Sequence, residues 1–177
     1  MSILIAGAGV GGLTTALMLH ARGIRCQVVE QAPEVREVGV GINTLPHSIA
    51  ELAELGLLPR LDEVGLRTRE LRYLTREGQE VWRELRGMHA GHKHPQFSIH
   101  RGRLQKVLYD AVIERMGPEA VLTGLKLSGF VQDEAGVTAH FTDSLEGTSS
   151  RTLRGEILIC ADGIHSMGRK RFYPNEG

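Results

Sequence analysis

The chain has 177 residues, enough for one domain with a substantial core or one domain with a small appendage. Lys+Arg and Asp+Glu both number 21, so the formal net charge is zero and no global basic field draws nucleic acid or an anionic membrane. Hydrophobic residues make up 41% and charged residues 24%, the balance of an ordinary soluble globular domain.

No apolar run reaches the roughly 18 residues that cross a bilayer. Met1 to Ala6 is apolar but lacks the basic region and cleavage site of a secretory signal. Cys26 and Cys160 each sit near the end of an apolar run and read as small core residues, not a disulfide framework. The expected compartment is the cytoplasm. The 22 glycines fall largely in short turns after apolar runs, which suits alternating strands and helices.

In chain order, Ser2–Ala6 reads as a buried parallel strand that stops at a glycine turn. Leu13, Ala16, Leu17 and Leu19 then recur at helical spacing, and Gly23 stops the helix. Gln27-Val28-Val29-Glu30 is a second strand ending on an acid, completing a βαβ unit. A polar connection with Pro33 leads to the glycine-rich turn Gly39-Val40-Gly41-Ile42-Asn43, and a helix is expected from Pro46 to Leu55. Leu71–Leu74 and Val81–Leu85 flank Arg76-Glu77-Gly78-Gln79 as a hairpin whose face Tyr73 and Trp82 pack. His89 to Pro95 reads as a loop, Phe97–His100 as a strand, and Arg101 to Met116 as a helix with Leu104, Val107, Leu108, Ala111 and Val112 on one face. Leu125 to Gln132 and Val137 to Thr142 are hairpin-like, and Glu156–Ala161 is a buried strand meeting Asp162-Gly163.

The chemistry is concentrated in Gly7-x-Gly9-x-x-Gly12. Gly7 makes the tight turn, Gly9 admits a pyrophosphate to the backbone, and Gly12 lets helix and strand pack closely. The helix N-terminus offers N–H groups and partial positive charge to phosphates. An acid 23 positions after Gly7, Glu30, suits a ribose diol and argues against a 2′-phosphate. The fingerprint alone leaves FAD and NAD both open. His89, His92 and His94 have no cysteine or nearby acid and lie in a Gly/Pro-bounded loop, so no metal site is expected. No triad, paired acid or nucleophile stands out, and no catalytic residue is named.

Three separated segments resemble the single-component flavin aromatic hydroxylases, the family of p-hydroxybenzoate and salicylate hydroxylases. They are the Gly7–Glu30 fingerprint, Ser98-Ile99-His100-Arg101-Gly102-Arg103-Leu104, and Ala161-Asp162-Gly163-Ile164-His165-Ser166 with Arg169. The resemblance implies an α/β fold: a Rossmann-like FAD-binding domain of the GR2 type with an inserted β-hairpin from the substrate-side sheet. It divides the chain into an incomplete FAD-binding domain, residues 1–69 and 99–177, and a substrate-side hairpin and loop, residues 70–98. The family continues into a C-terminal substrate domain that is missing here, so the chain reads as an N-terminal part.

The resemblance further implies that FAD is the cofactor and NADH or NADPH the reductant. Gly7, Gly9 and Gly12 match its pyrophosphate turn, Glu30 its ribose ligand and Arg101 a ligand near the pyrophosphate and ribityl. Asp162 and Gly163 match its Asp-Gly motif, Arg36 an arginine shielding the cofactor, and Leu125 completes the expected cofactor-binding set. The implied reaction is hydroxylation of a small aromatic or heteroaromatic substrate by molecular oxygen through a flavin C4a-hydroperoxide. The expected partners exclude nucleic acid and membrane and leave an oligomer open. An NAD-dependent Rossmann dehydrogenase and a non-catalytic FAD-binding fragment are the competing readings.

Overall fold

A computed structural model describes residues 2–144 and 150–176; Met1 and Gly177, which end two of the stretches singled out above, lie outside the described residues. The elements in chain order are β1 (Ser2–Ala6), α1 (Val10–Ala21), β2 (Arg25–Val29), β3 (Gly41–Thr44), α2 (Pro46–Glu54), α3 (Leu58–Val64), β4 (Gly65–Thr68), β5 (Glu70–Leu74) and β6 (Glu80–Leu85). They continue with β7 (Gln96–His100), α4 (Arg101–Met116), β8 (Val121–Leu122), β9 (Leu125–Asp133), β10 (Gly136–Asp143), β11 (Ser150–Gly155), β12 (Ile157–Cys160) and α5 (Met167–Phe172). The chain forms two compact units, Met1–Arg36 with Leu108–Gly177, and Glu37–Val107.

The first unit is built on a four-stranded sheet in the order β12-β1-β2-β8, every neighbouring pair parallel. Strand residues alternate between its faces. Leu4, Ala6 and Val29 on one face pack against Leu127, Ala139 and Phe141 of the antiparallel sheet β11-β10-β9. Ile5 points the other way, toward the first turn of α1, whose Leu13, Ala16 and Leu17 are fully buried. The result is a three-layer arrangement of helix, parallel sheet and antiparallel sheet.

The second unit carries the antiparallel sheet β3-β7-β4, with Asn43 and Leu66 both in register with Ser98. Phe97 and Ile99 of β7 are buried on one face, and Ile49, Leu52, Leu57 and Leu61 of the helical segment complete this unit's core. Strands β5 and β6 form the expected hairpin, closed by Thr75 N–H to Gln79 O at 2.8 Å, with Tyr73 and Trp82 paired at 5.9 Å between ring centroids.

Several elements depart from the sequence expectation. Gly41–Thr44 is a strand rather than part of a turn, because β7 supplies its hydrogen-bond partners from more than fifty residues away. Helix α3 and strand β4 follow the expected Pro46–Leu55 helix where the sequence predicts no element, and β8, β11 and α5 are likewise additional. The second unit extends from Glu37 to Val107, with β3 and β4 sharing β7 as their common neighbour.

Phe141 is completely buried between the two sheets of the first unit. Phe141→Ala should cost about 3–5 kcal/mol, because little around a rigid β-sandwich can collapse into the cavity. Urea unfolding with an unchanged slope and a lowered midpoint is the expected readout.

Candidate cofactor-binding site

Within the first unit, β1, β2 and β12 run parallel, so the residues that follow them emerge at the same carboxyl edge. These are Gly7, Glu30 and Asp162. Ligands of open parallel sheets bind outside that edge.

The turn after β1 is held by contact rather than by side chains. Gly7 has φ +106°, a left-handed backbone that a side chain would strain, and its N–H donates to Val29 O at 2.7 Å. A Cβ on Gly7 would collide with Ala161 O, and one on Gly12 would collide with Gly7 O. Gly9 differs: its φ is −72°, and a Cβ there would meet no heavy atom within 4 Å. It is the N-cap of α1, no side chain caps the helix, and the first turn contains no acid. The first-turn N–H groups and the positive end of the helix therefore remain available to an anion.

Glu30 clamps this turn. Its Oε2 accepts the Ala8 N–H at 2.6 Å and its Oε1 accepts the Ala32 N–H at 2.8 Å. Its own N–H donates to Leu122 O at 2.8 Å, and its carbonyl accepts the Leu125 N–H at 2.9 Å. Each carboxylate oxygen still has a lone pair for a hydroxyl donor. Leu125 thus reaches the site through its backbone, while its side chain packs against the core around Phe141.

Asp162 follows β12. Its Oδ2 accepts the Met167 N–H at 2.7 Å, whereas its Oδ1 is buried without a hydrogen-bond partner among the described residues. Gly163 takes φ +78°, turning the chain into α5, and Ser166 Oγ caps that helix by accepting the Arg169 N–H at 3.1 Å. Desolvation, followed by the Asp162 carboxylate, pushes the Cys160 thiol above its ordinary value of 9.0, against a smaller lowering by the Gly168 backbone. Arg36 is exposed and paired with Glu34.

In the second unit, Arg101 opens α4 and its N–H donates to Val40 O at 3.0 Å. Its side chain lies across Gly39, where a Cβ would come 2.9 Å from Arg101 Nε. Gly102 lets the Glu37–Val38 backbone cross the first turn of α4, since a Cβ there would sit 2.5 Å from Glu37 C. His100 Nε2 bonds Gly39 O at 3.0 Å, and its buried Nδ1 has no partner among the described residues.

These features define a dinucleotide-binding βαβ domain, and the residues fit an adenine dinucleotide. The uncapped helix start and the open space over Gly9 suit a pyrophosphate, the anchored Glu30 suits a diol, and the orphaned Asp162 Oδ1 is an acceptor awaiting a donor. The family of FAD binding domains matches residues 1–173, and the chain belongs to it. It is 48% identical to phenazine 1,6-dicarboxylic acid hydroxylase of Lysobacter antibioticus over 98% of its length, spanning 43% of that relative. It is 33% identical to 3-amino-4-hydroxybenzoate 2-monooxygenase of Streptomyces cremeus, covering 95% of this chain and 41% of that one. Among solved structures, Klebsiella pneumoniae HpxO, complexed with FAD and uric acid, matches with a TM-score of 0.78 at 27% identity, over 97% of this chain and 41% of that one. The chain therefore spans about two fifths of the length of these relatives.

Of the nine residues expected from the sequence, Gly7, Gly9, Gly12, Glu30, Asp162 and Gly163 lie at the carboxyl edge of the first unit's parallel sheet, Leu125 is tied to Glu30 through its backbone, Arg36 is exposed beside Glu34, and Arg101 belongs to the second unit. Sequence reasoning missed the Ala8 and Ala32 N–H groups, which any residue type supplies, and the packing role of Gly102. Serine three residues before Arg169 carried a legible capping signal for α5. His89 and His92 are exposed and His94 is half-buried; among the described residues no group of three or more His, Cys, Asp or Glu could hold a metal ion.

A raised pKa keeps Cys160 a neutral thiol to higher pH than a free cysteine, and the thiolate is the reactive form. Iodoacetamide labelling of Cys160 at pH 8 should be slower than that of a free thiol. Asp162→Asn, which removes one of the raising causes, should speed it; mass-spectrometric labelling rates check both expectations.

Proposed function

We propose that the chain is the FAD-holding part of a flavoprotein monooxygenase that uses NADH or NADPH and molecular oxygen to hydroxylate a small aromatic or heteroaromatic substrate. The observation that carries this reading is the convergence of Gly9, Glu30 and Asp162 on one sheet edge in a chain 48% identical to a phenazine hydroxylase. Bound FAD would supply the exchange of electrons with a nicotinamide and the activation of oxygen.

The protein's own part is binding and orientation. The first-turn N–H groups after Gly9 would neutralise the pyrophosphate, with Gly7 and Gly12 keeping the turn tight enough to present them. Glu30 would accept ribose hydroxyls while its bonds to Ala8 and Ala32 hold the carboxylate in one rotamer. Asp162 Oδ1 would accept a further hydroxyl, and Gly163 lets the backbone turn beside it. Arg101, without an ion-pair partner among the described residues, offers a planar fork for a phosphate or ribityl oxygen. Arg36, exposed beside Glu34, would screen cofactor charge, and Leu125 would act through its backbone tie to Glu30. Substrate oxidation belongs to the cofactor, so no protein nucleophile is assigned. A cytoplasmic location goes with this reading, since nicotinamide reductants and the unpaired Cys26 and Cys160 both belong to a reducing compartment.

Purified chain reconstituted with FAD should show bound-flavin absorbance and release FAD, not NAD, on denaturation; release of NAD alone would favour a dehydrogenase. Gly9→Ala should leave the melting temperature nearly unchanged yet weaken FAD binding. Glu30→Gln should weaken it about ten- to a hundredfold, the loss of a charged acceptor. Flavin fluorescence titration measures both.

A further inference from the structure

Residues 37–40 belong to no helix or strand, and Val38 and Val40 are both exposed, so neither a ladder nor a buried side chain fixes the course of this segment. Its ties run to the junction of β7 and α4. Arg101 N–H donates to Val40 O at 3.0 Å, and Gly102 gives room for the Glu37–Val38 backbone. His100 supplies a third tie, with Nε2 at 3.0 Å from Gly39 O. A carbonyl oxygen only accepts, so Nε2 carries the hydrogen of this bond and Nδ1 of the neutral ring is a bare acceptor.

His100 borders an open recess of about 480 Å³ that Arg103 also lines, yet its Nδ1 is buried and has no partner among the described residues. An apolar ring in the same place would avoid that cost, so what the imidazole contributes is the bond from Nε2. The residue it holds is an unusual one. Gly39 has φ +143° and no side chain to restrict the peptide that follows, and a Cβ on it would come 2.9 Å from Arg101 Nε and 3.2 Å from Arg101 Cβ. The Arg101 side chain therefore lies against the residue whose carbonyl His100 fixes. We propose that His100 is a positioning residue for the cofactor: it holds the Gly39 peptide on which the Arg101 side chain rests, and so keeps that guanidinium in place for a phosphate or ribityl oxygen. Ordering the fork before the cofactor arrives lowers the cost of binding it. The proposal rests on the FAD-binding reading and adds a residue that acts on the cofactor only through Arg101.

The test uses His100→Phe, which keeps a ring but removes the donor, and His100→Gln, whose amide N–H can reach the same carbonyl. In flavin fluorescence titrations His100→Phe should weaken FAD about three- to tenfold, the worth of one hydrogen bond, and His100→Gln should recover most of the loss. In an Arg101→Gln background the further loss from His100→Phe should nearly vanish, whereas a purely structural histidine would lower affinity whether or not Arg101 is present. The melting temperature of His100→Phe should stay near wild type, since the ring volume is kept and the buried acceptor is gone. On the FAD-free chain, amide hydrogen exchange at Arg101, whose N–H bonds Val40 O, should speed up in His100→Phe and not in His100→Gln, with the β1 amides unchanged in both. Equal losses of affinity in the Phe and Gln variants, losses that simply add to that of Arg101→Gln, or unchanged Arg101 exchange in His100→Phe would each overturn the proposal. Should the wild-type chain take up no FAD, the cofactor reading fails, while the exchange rates on the FAD-free chain still decide the His100 tie.

Discussion

The first turn of α1 lies so close to the turn after β1 that no side chain, not even a methyl group, fits at residue 12 without striking the Gly7 carbonyl. Gly7 is closed from the other side by the Ala161 carbonyl, where β12 returns beside β1. The helix, its strand and the returning strand are therefore wedged backbone against backbone. This wedge brings the unpaired N–H groups of α1 to the carboxyl edge of the sheet, and everything else at the cofactor site is arranged around it. Gly9 has free space around it, as does Gly11, so the three glycines of the pattern divide into two that are forced by packing and one that is not.

Electrostatics reinforces the wedge. Glu30 spends a hydrogen bond from each carboxylate oxygen on backbone N–H groups of the neighbouring loops, which orders both the glycine turn and the start of the 31–36 connection. A negative group placed near an uncapped helix start would ordinarily act as its cap. Glu30 instead bonds Ala8, ahead of the helix, and leaves the helical N–H groups unspent. Asp162 follows the same pattern: one oxygen is tied to Met167, and the other is buried with no donor among the described residues. Such unsatisfied groups cost stability unless a ligand answers them.

The second unit solves a different problem. Its three-stranded sheet covers one face with helices and leaves the other bearing Asn43, Ser98, Thr68 and Leu66. Polar residues in a strand that also buries Phe97 and Ile99 follow from simple alternation. Their hydrogen bonds, from Ser98 to Asn43 and between Thr68 and Ser98, do not follow from alternation, because they depend on three strands meeting in one register.

The first βαβ unit was legible from residues alone, since its determinants are local: an apolar strand, a glycine turn, a helix and an acid lie within the first 30 positions. The Asp162-Gly163 turn was legible for the same reason, as were the hairpin of Tyr73 and Trp82 and the long helix from Arg101. What only the tertiary structure decided depends on partners far apart in the chain. Gly41–Thr44 became a strand through β7, the short β8 gained its identity from β2, and the Glu30 clamp acquired its meaning from Ala8 and Leu122. The recess that Arg103 lines belongs to this second group, because a cavity is a property of surfaces brought together and has no signature in local spacing.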